Sequence, residues 1–598
     1  MKSAETRTEV SAVYSARLVS QRAKQAAAER RHKQAGYLKL AVVALTVAVF
    51  VLGLEARVAS AFWLIVPLAA LAFLEKVHER ALRSLKKCAR VIAFYERGTA
   101  RMEDRWMGTG EDGADFLEPQ HPYSRDLDLF GTGSLFELLC TARTSPGKNI
   151  LAEWLLGAAP VPEIESRQQA IRELAPRLDF REEIAVSGQD IGSRARTEAL
   201  IAWAEAPPVL HPKPVQVFAF VLAALWLLGL LAWAVWGLWE LALAISLANR
   251  VFYSHYKSPC QKMIGAEEFV REFALLPIIL KRMEQEDFAS GKLVGLQSQL
   301  RKQGVSAAAS VRKLSRSVEA LESRRSLLIT VSDPFLLWTT QVALAVEAWR
   351  QKFAPAFRGW LMAVGEMEAL NALANYSYEH PGDNFPQFLP DRAVFKASGL
   401  AHPLLPRTRA IRNNVSLGQE LRVMIISGPN MSGKSTFVRA IGLNAVLAQC
   451  GAPVCAESLR LSPLQVTASI CVLDSLQGGV SRFYAEITRL KLIAELAQKA
   501  IPVLFLLDEL LSGTNSDDRR AGSEAFVKSM VARGAVGLVT THDLALTRMA
   551  DELSLQAANF HFEDRIETGQ LRFDYTLVSG VAQSSNALKL MRSIGLEI

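Results

Sequence analysis

The chain has 598 residues, of which 50% are hydrophobic, 21% charged and 8% aromatic, with a mean hydropathy of +0.14. That length allows roughly three or four domains, and the ordinary charged content excludes a largely disordered polypeptide. The formal charge of +8 is uneven: residues 1–39 carry nine basic residues against three acids, so the remainder is nearly neutral and the basic pI is no argument for nucleic acid.

From the amino terminus, residues 1–35 read as a basic cytoplasmic arm. Residues 36–54 and 58–74 are apolar runs joined by Glu55, Ala56 and Arg57, and a second pair occupies 215–233 and 234–248. A hydrocarbon core takes ~20 helical residues to cross, and each run supplies 15–19. Two adjacent pairs rich in Leu, Phe and Trp exceed what a soluble core needs. The expectation is two transmembrane helical hairpins, at 36–75 and 215–249, making four spans. Arg30, Arg31, Lys33 and Lys39 precede the first hairpin; Lys76, Arg80, Arg83, Lys86, Lys87 and Arg90 follow it. Its tip has Arg57 alone, and Lys213, Arg250 and Lys257 flank the second hairpin. Positive-inside bias therefore implies a multi-pass protein of the cell (inner) membrane with its soluble parts in the cytoplasm. Glu240 reads as an interfacial residue at the start of a short helix.

Residues 76–214 mix helical and turn-rich stretches, and 250–400 are mostly helical. Val311, Leu314, Val318, Leu321 and Leu328 make an apolar seam expected on one helix. The apolar run 335–346 is too short to span and suits a helix in a soluble core. Six cysteines without C-x-x-C spacing read as reduced core residues.

From residue 401 the pattern alternates strand and helix. The runs 423–426, 503–507 and 536–540 are apolar without alternation, as expected of parallel strands buried on both faces of an α/β domain. The first of them leads into Gly428, Pro429, Asn430, Met431, Ser432, Gly433, Lys434, Ser435 and Thr436, which fit G-x-x-x-x-G-K-[ST] between a strand and a helix. Such a loop turns its amides toward phosphates at a helix amino terminus. Lys434 is expected to reach the β and γ phosphates of ATP, and Ser435 to coordinate Mg²⁺. The second strand ends in Asp508, expected to hold Mg²⁺ through water, and Glu509, expected to orient or deprotonate the attacking water. The third runs into Thr541 and His542, and His542 is placed to sense the γ phosphate. Between them, Gly478, Gly479, Val480 and Ser481 form a small-residue loop before a helix. A second subunit presenting that loop makes two composite sites in a dimer.

These motifs, in this order, resemble the ATPase domain of the MutS mismatch-repair family: the Gly-Pro-Asn-Met-Ser-Gly-Lys-Ser-Thr loop, Ser-x-Phe-x-x-Glu (Ser481, Phe483, Glu486), Leu-Leu-Asp-Glu and Thr-His-Asp. The likeness extends upstream to Ala401-His402-Pro403-Leu404-Leu405 and Asn413-Asn414-Val415. Residues 135–156, with Thr144, Gly147 and Trp154, resemble that family's helical core, and Gly365-Glu366-Met367-Glu368-Ala369-Leu370 resembles its closing helix. The resemblance implies an ABC-type P-loop ATPase domain at 401–598 preceded by a mostly α-helical core at 76–214 and 250–400. It also implies ATP and Mg²⁺ as cofactors, a homodimer in which Ser481 completes the partner's site, and DNA as ligand. The arm and first hairpin occupy the place of the family's mismatch-reading domain, so mismatch recognition itself is not expected. The other reading of the whole chain is an ATP-driven membrane switch that does not bind DNA.

Overall fold

The computed structural model describes residues 2–56, 65–187, 194–208, 212–264, 276–301, 304–322, 327–390, 393–429, 432–470, 482–542, 544–552, 556–567 and 570–581. They fall into two compact units: Met1–Thr109 with Tyr378–Pro381, and Gly110–Ser377 with Gly382–Ile598.

The first unit is built on two long helices, Lys2–Ala56 and Ile65–Met102. They run antiparallel, as Arg22–Glu96 (2.7 Å) and Lys39–Glu75 require. Small or aromatic residues close the seam between them: Tyr14, Ala28, Ala35, Ala81, Cys88 and Tyr95 are all buried. At its base the Arg101 guanidinium grips the Glu379 carboxylate twice, Nε to Oε2 at 2.5 Å and Nη2 to Oε1 at 2.6 Å. The Tyr14 hydroxyl donates to the same carboxylate at 3.2 Å.

Up to residue 377 the described residues of the second unit are mostly helical after a turn-rich start at 110–134. Thr144 caps the helix Ser145–Leu156, its hydroxyl accepting from Gly147 N. The buried Glu368 carboxyl accepts from the Thr144 hydroxyl and from the amides of Arg143 and Thr144, at 3.2 Å each. Burial raises the Glu368 pKa, opposed by these bonds. The two stretches expected to form a helical core are therefore packed on each other. Residues 335–346 divide at Leu337, where Thr339 N donates to Asp333 Oδ1 at 2.7 Å and the helix Trp338–Glu379 begins. Thr340, Ala343, Leu344 and Glu347 are buried there, as a core helix demands. Of the seam at 311–328, Val311, Leu314 and Val318 are buried in Ala307–Glu322 and Leu328 belongs to Leu327–Leu336, while residues 323–326 lie outside the described residues. Five of the six cysteines are described, and all five are free and buried. Burial pushes the Cys140 and Cys450 thiols up to about 12, which keeps them inert.

The expectation of four spans is corrected. Among the described residues, two helices are long and apolar enough to cross a membrane by length and composition, within Thr6–Val51 and Pro214–Trp236. The run 58–74 lies partly outside the described residues, and its helix gives only residues 65–74 before Glu75, about 15 Å of rise. The run 234–248 is cut by a turn at Gly237–Leu238, so the preceding helix extends to Trp236 and the next, Trp239–Ile264, meets Arg250 after about three turns. These two helices pack tightly. A Cβ on Gly229 would lie 3.1 Å from Ile245 Cδ1, and Trp226 Nε1 donates to Ser246 Oγ at 2.9 Å.

The α/β part holds ten strands among the described residues: β1 Gln387–Phe388, β2 Phe395–Leu400, β3 Asn413–Leu417, β4 Val423–Ser427, β5 Ser458–Leu461, β6 Gln465–Ser469, β7 Val503–Asp508, β8 Val536–Thr541, β9 Ala557–Glu567 and β10 Gln570–Ser579. One sheet has the order β1-β5-β2-β3; the other has β10-β9-β4-β8-β7-β6. In the larger sheet β9, β4, β8, β7 and β6 are parallel and β10 is antiparallel. Every residue of β4 and β8 is buried, which is why these sequences lack alternation. Helices Lys434–Cys450, Arg482–Leu496 and Ser516–Ala532 connect the parallel strands. Parallel strands share a carboxyl-terminal edge, and that edge carries the site.

Candidate active site

Register does the assembling. Ile426 of β4 pairs with Thr540 of β8, and Thr540 pairs with Asp508 of β7. Three segments far apart in sequence thus end side by side: the loop after β4, Asp508 with Glu509, and Thr541 with His542.

The loop turns into its helix at Gly433, whose φ of 95° is left-handed and whose Cβ, if present, would lie 2.8 Å from Tyr575 Cδ1. Only glycine meets both demands. Among the described residues no side chain caps this helix start, and its first amides are available to a ligand. The buried Lys434 ammonium bends back and donates to Gly428 O at 2.8 Å and Pro429 O at 2.9 Å. Burial lowers its pKa, while the Glu509 and Asp508 carboxylates pull it back up.

Ser435 Oγ donates to Asp508 Oδ2 at 2.5 Å, and the Thr540 hydroxyl donates to Asp508 Oδ1. Glu509 stands in the left-handed region at φ 51°, its amide donating to Thr540 Oγ1 at 3.1 Å. Leu511 is left-handed too, at φ 53°, and its amide donates to Glu486 Oε1 at 2.5 Å. Such backbone costs about 1–3 kcal/mol per residue and tends to mark working sites. His542, half exposed, brings Nδ1 to 3.5 Å from Glu509 Oε1. The expected residues Gly428, Pro429, Ser432, Gly433, Lys434, Ser435, Thr436, Asp508, Glu509 and His542 are all described. Asn430, Met431 and Ser481 lie outside the described residues.

A cavity of about 640 Å³ opens here, walled by Gly433, Lys434, Ser435, Asp508 and Glu509, and also by Arg409 and Ile411. That volume suits a nucleotide. Sequence reading missed four residues of this neighbourhood. Thr540 is found only through its register with Asp508. Tyr575 sits at a break in the β9–β10 register with φ 51°, its carbonyl accepting from Asn413 Nδ2 at 3.0 Å. Arg409 and Ile411 come from the segment between β2 and β3, past the Ala401–Leu405 motif, where no motif marks them. Among the described residues no cluster of three or more His, Cys, Asp or Glu suits a metal by itself. The hydroxyl–carboxylate pair of Ser435 and Asp508 is instead the oxygen donor set that suits a Mg²⁺ sharing its shell with a phosphate and waters.

His402 also borders the cavity. Burial lowers its pKa to about 4, with the Arg439 charge acting in the same direction. The folded state thus keeps His402 neutral, and its contribution to stability is full above the unfolded value near 6.5 and lost as pH falls toward about 4. We expect acid to cost up to about 3 kcal/mol through this residue. Denaturant midpoints followed from neutral pH downward should fall less steeply in His402→Asn than in the parent chain. His121, also lowered by burial, remains in both and contributes to the residual slope together with the lowered carboxyls of Glu163 and Glu173.

The MutS domain V family profile matches residues 424–597. The carboxyl-terminal domain belongs to the MutS family. Over 197 residues the chain is 38% identical to the endonuclease MutS2 of Thermus thermophilus, covering 33% of this chain and 25% of that protein. It is 31% identical over 252 residues to the DNA mismatch repair protein MutS 2 of Halobacterium salinarum, covering 41% and 29%. It is 30% identical over 236 residues to the DNA mismatch repair protein MutS of Thermotoga maritima, covering 39% and 29%. The chain thus spans less than a third of each of these relatives, and the MutS likeness is concentrated in the α/β part.

Proposed function

We propose that the chain is a membrane-anchored, Mg²⁺-dependent ATPase that works as a homodimer and couples its cycle to the clamping of DNA. The observation that carries the ATPase reading is the convergence of Lys434, Ser435, Asp508 and Glu509 on one cavity at the sheet's carboxyl edge, with Thr540 holding Asp508 and Glu509 from behind. The amides of the 428–436 loop cradle the phosphates. Lys434 exchanges its two carbonyl partners for β and γ phosphate oxygens. Ser435 and Asp508 would hold Mg²⁺, which would supply positive charge beside the phosphates. Glu509 aligns water against the γ phosphorus and takes its proton as the new O–P bond forms, while the bond to the β-phosphate oxygen breaks and ADP leaves. His542, beside Glu509, reports whether the γ phosphate is present. Ser481 of a second copy completes the site.

Anchoring is supported by the second helical pair, which buries its polar bonds inside while Phe220, Leu228, Trp233, Trp239, Leu243 and Leu247 are exposed. Such an apolar exterior suits lipid. DNA enters through the relatives, two of which are named for DNA mismatch repair. The near-neutral charge beyond residue 40 favours the second reading, an ATP-driven membrane switch that leaves DNA alone. Duplex binding measured against salt decides between them. A clamp neutralising several phosphates loses affinity steeply as salt rises, with a log–log slope near −0.9 per phosphate. No salt-dependent affinity, with or without ATP, removes the clamp and leaves the switch.

A further inference from the structure

We propose that the cytoplasmic base of the first helical pair is a binding site for the headgroup phosphate of an anionic phospholipid. This rests on the membrane anchoring proposed above and adds a ligand to it. Between helices Lys2–Ala56 and Ile65–Met102 lies a cavity of about 360 Å³, with polar walls from Arg31, Gln34, Arg80 and Ser84 and apolar walls that include Leu38 and Leu74.

Charge singles out its two arginines. Each acid at this level is already matched to a base that does not line the cavity: Glu29 to Lys33 at 2.8 Å, Glu75 to Lys39, and Glu79 to Arg83 at 3.6 Å. Arg31 and Arg80 have no ion pair among the described residues. An independent observation lies beside them. His32 stacks on His78 with ring centroids 4.2 Å apart, and both Nδ1 atoms are buried without a hydrogen-bond partner. Neither imidazole lines the cavity, so the stack holds the two helices together at this level, and a phosphodiester in the cavity supplies the counter-charge that its two arginines lack.

Depth agrees with this assignment. Leu38 and Leu40 on one helix and Phe73 on the other are exposed apolar residues, the start of the lipid-facing surface. Arg31 is seven residues outside Leu38 and Arg80 six residues beyond Leu74, about 10 Å along each helix. The headgroup layer is roughly 5–7 Å deep on each side of the hydrocarbon. An arginine stem lies along apolar surface while its guanidinium reaches the phosphates. Two planar guanidiniums facing one cavity fit a phosphate bidentately, and basic pockets between helices at this level take anionic headgroups.

The test uses the full chain in lipid nanodiscs and in detergent. In discs mixing phosphatidylglycerol with phosphatidylcholine, lipid retained through detergent re-extraction is quantified by mass spectrometry. We expect phosphatidylglycerol to be retained at least tenfold over phosphatidylcholine. Arg31→Gln with Arg80→Gln should abolish that preference, and Lys24→Gln, on the same helix away from the cavity, should keep it. Glycerol 3-phosphate added in excess should not displace the lipid. Equal retention of the two lipids, or a double variant that keeps the preference, overturns the site while leaving the anchoring intact. Displacement by glycerol 3-phosphate overturns the lipid assignment in favour of a free phosphate ester. A chain that does not enter discs overturns anchoring and site together.

Discussion

Glu509→Gln is expected to bind ATP within about twofold of the parent chain and to hydrolyse it at least a hundredfold more slowly, in line with the ~10²–10⁴ that a positioned base contributes. A hundredfold is about 2.7 kcal/mol of barrier. The reasoning is geometric. The Glu509 amide is fixed by Thr540, and its left-handed backbone turns the residue out of the strand beside Asp508 and Lys434. Glutamine keeps shape and hydrogen bonding but cannot take a proton. Single-turnover phosphate release, paired with calorimetric titration of Mg-ATP, separates the two quantities. Unchanged turnover would transfer the role of base to another group, with His542 the first to examine at 3.5 Å.

The second large effect concerns stability. Glu379→Gln removes the carboxylate charge that grips the buried Arg101 guanidinium twice, and arginine does not deprotonate inside proteins to compensate. Both side chains are almost wholly enclosed, at 6% and 0% exposure, so solvent cannot compensate. Breaking such a pair from one side costs about 3–5 kcal/mol. By contrast Arg22–Glu96, with both partners more than half or about half exposed, is worth at most about 1 kcal/mol. Hydrogen exchange around Tyr14 and Tyr95 should speed up at least a hundredfold in Glu379→Gln. Adding Arg101→Met should recover most of that protection, since the stranded charge is then gone. Unaltered exchange in the single variant would mean that the pair is not holding the helices.

What could be read from the sequence was local chemistry. The phosphate loop, Asp508, Glu509 and His542 each sit in a short motif attached to an apolar strand, and the strands at 423, 503 and 536 were located to within a residue at each end. Their observed ends run one residue further because Ser427, Asp508 and Thr541 still pair in the sheet although their side chains are polar. Thr540 and Tyr575 escaped because their relevance comes from register and from a break in it, neither of which leaves a periodic trace. The second helix of the later apolar pair was misjudged for a related reason. Counting apolar residues ignores where the backbone turns, and Gly237 moved the boundary by three residues. Glu379 was overlooked because its partner stands 278 positions away.

One bond gives the catalytic turn a handle. Helix Arg482–Leu496 is fastened through the Glu486 carboxylate to the Leu511 amide, two residues past Glu509, and Phe483 of the same helix abuts Gly513. The outer side of that helix presents Tyr484 and Ile487 to solvent. Anything that leans on those two side chains tugs a backbone already held in a costly shape, and the reach from fingertip to reacting carboxylate is a single helical turn and one peptide bend. The proposed hydrolysis therefore has a bonded path from the protein surface to Glu509, through Glu486 and Leu511.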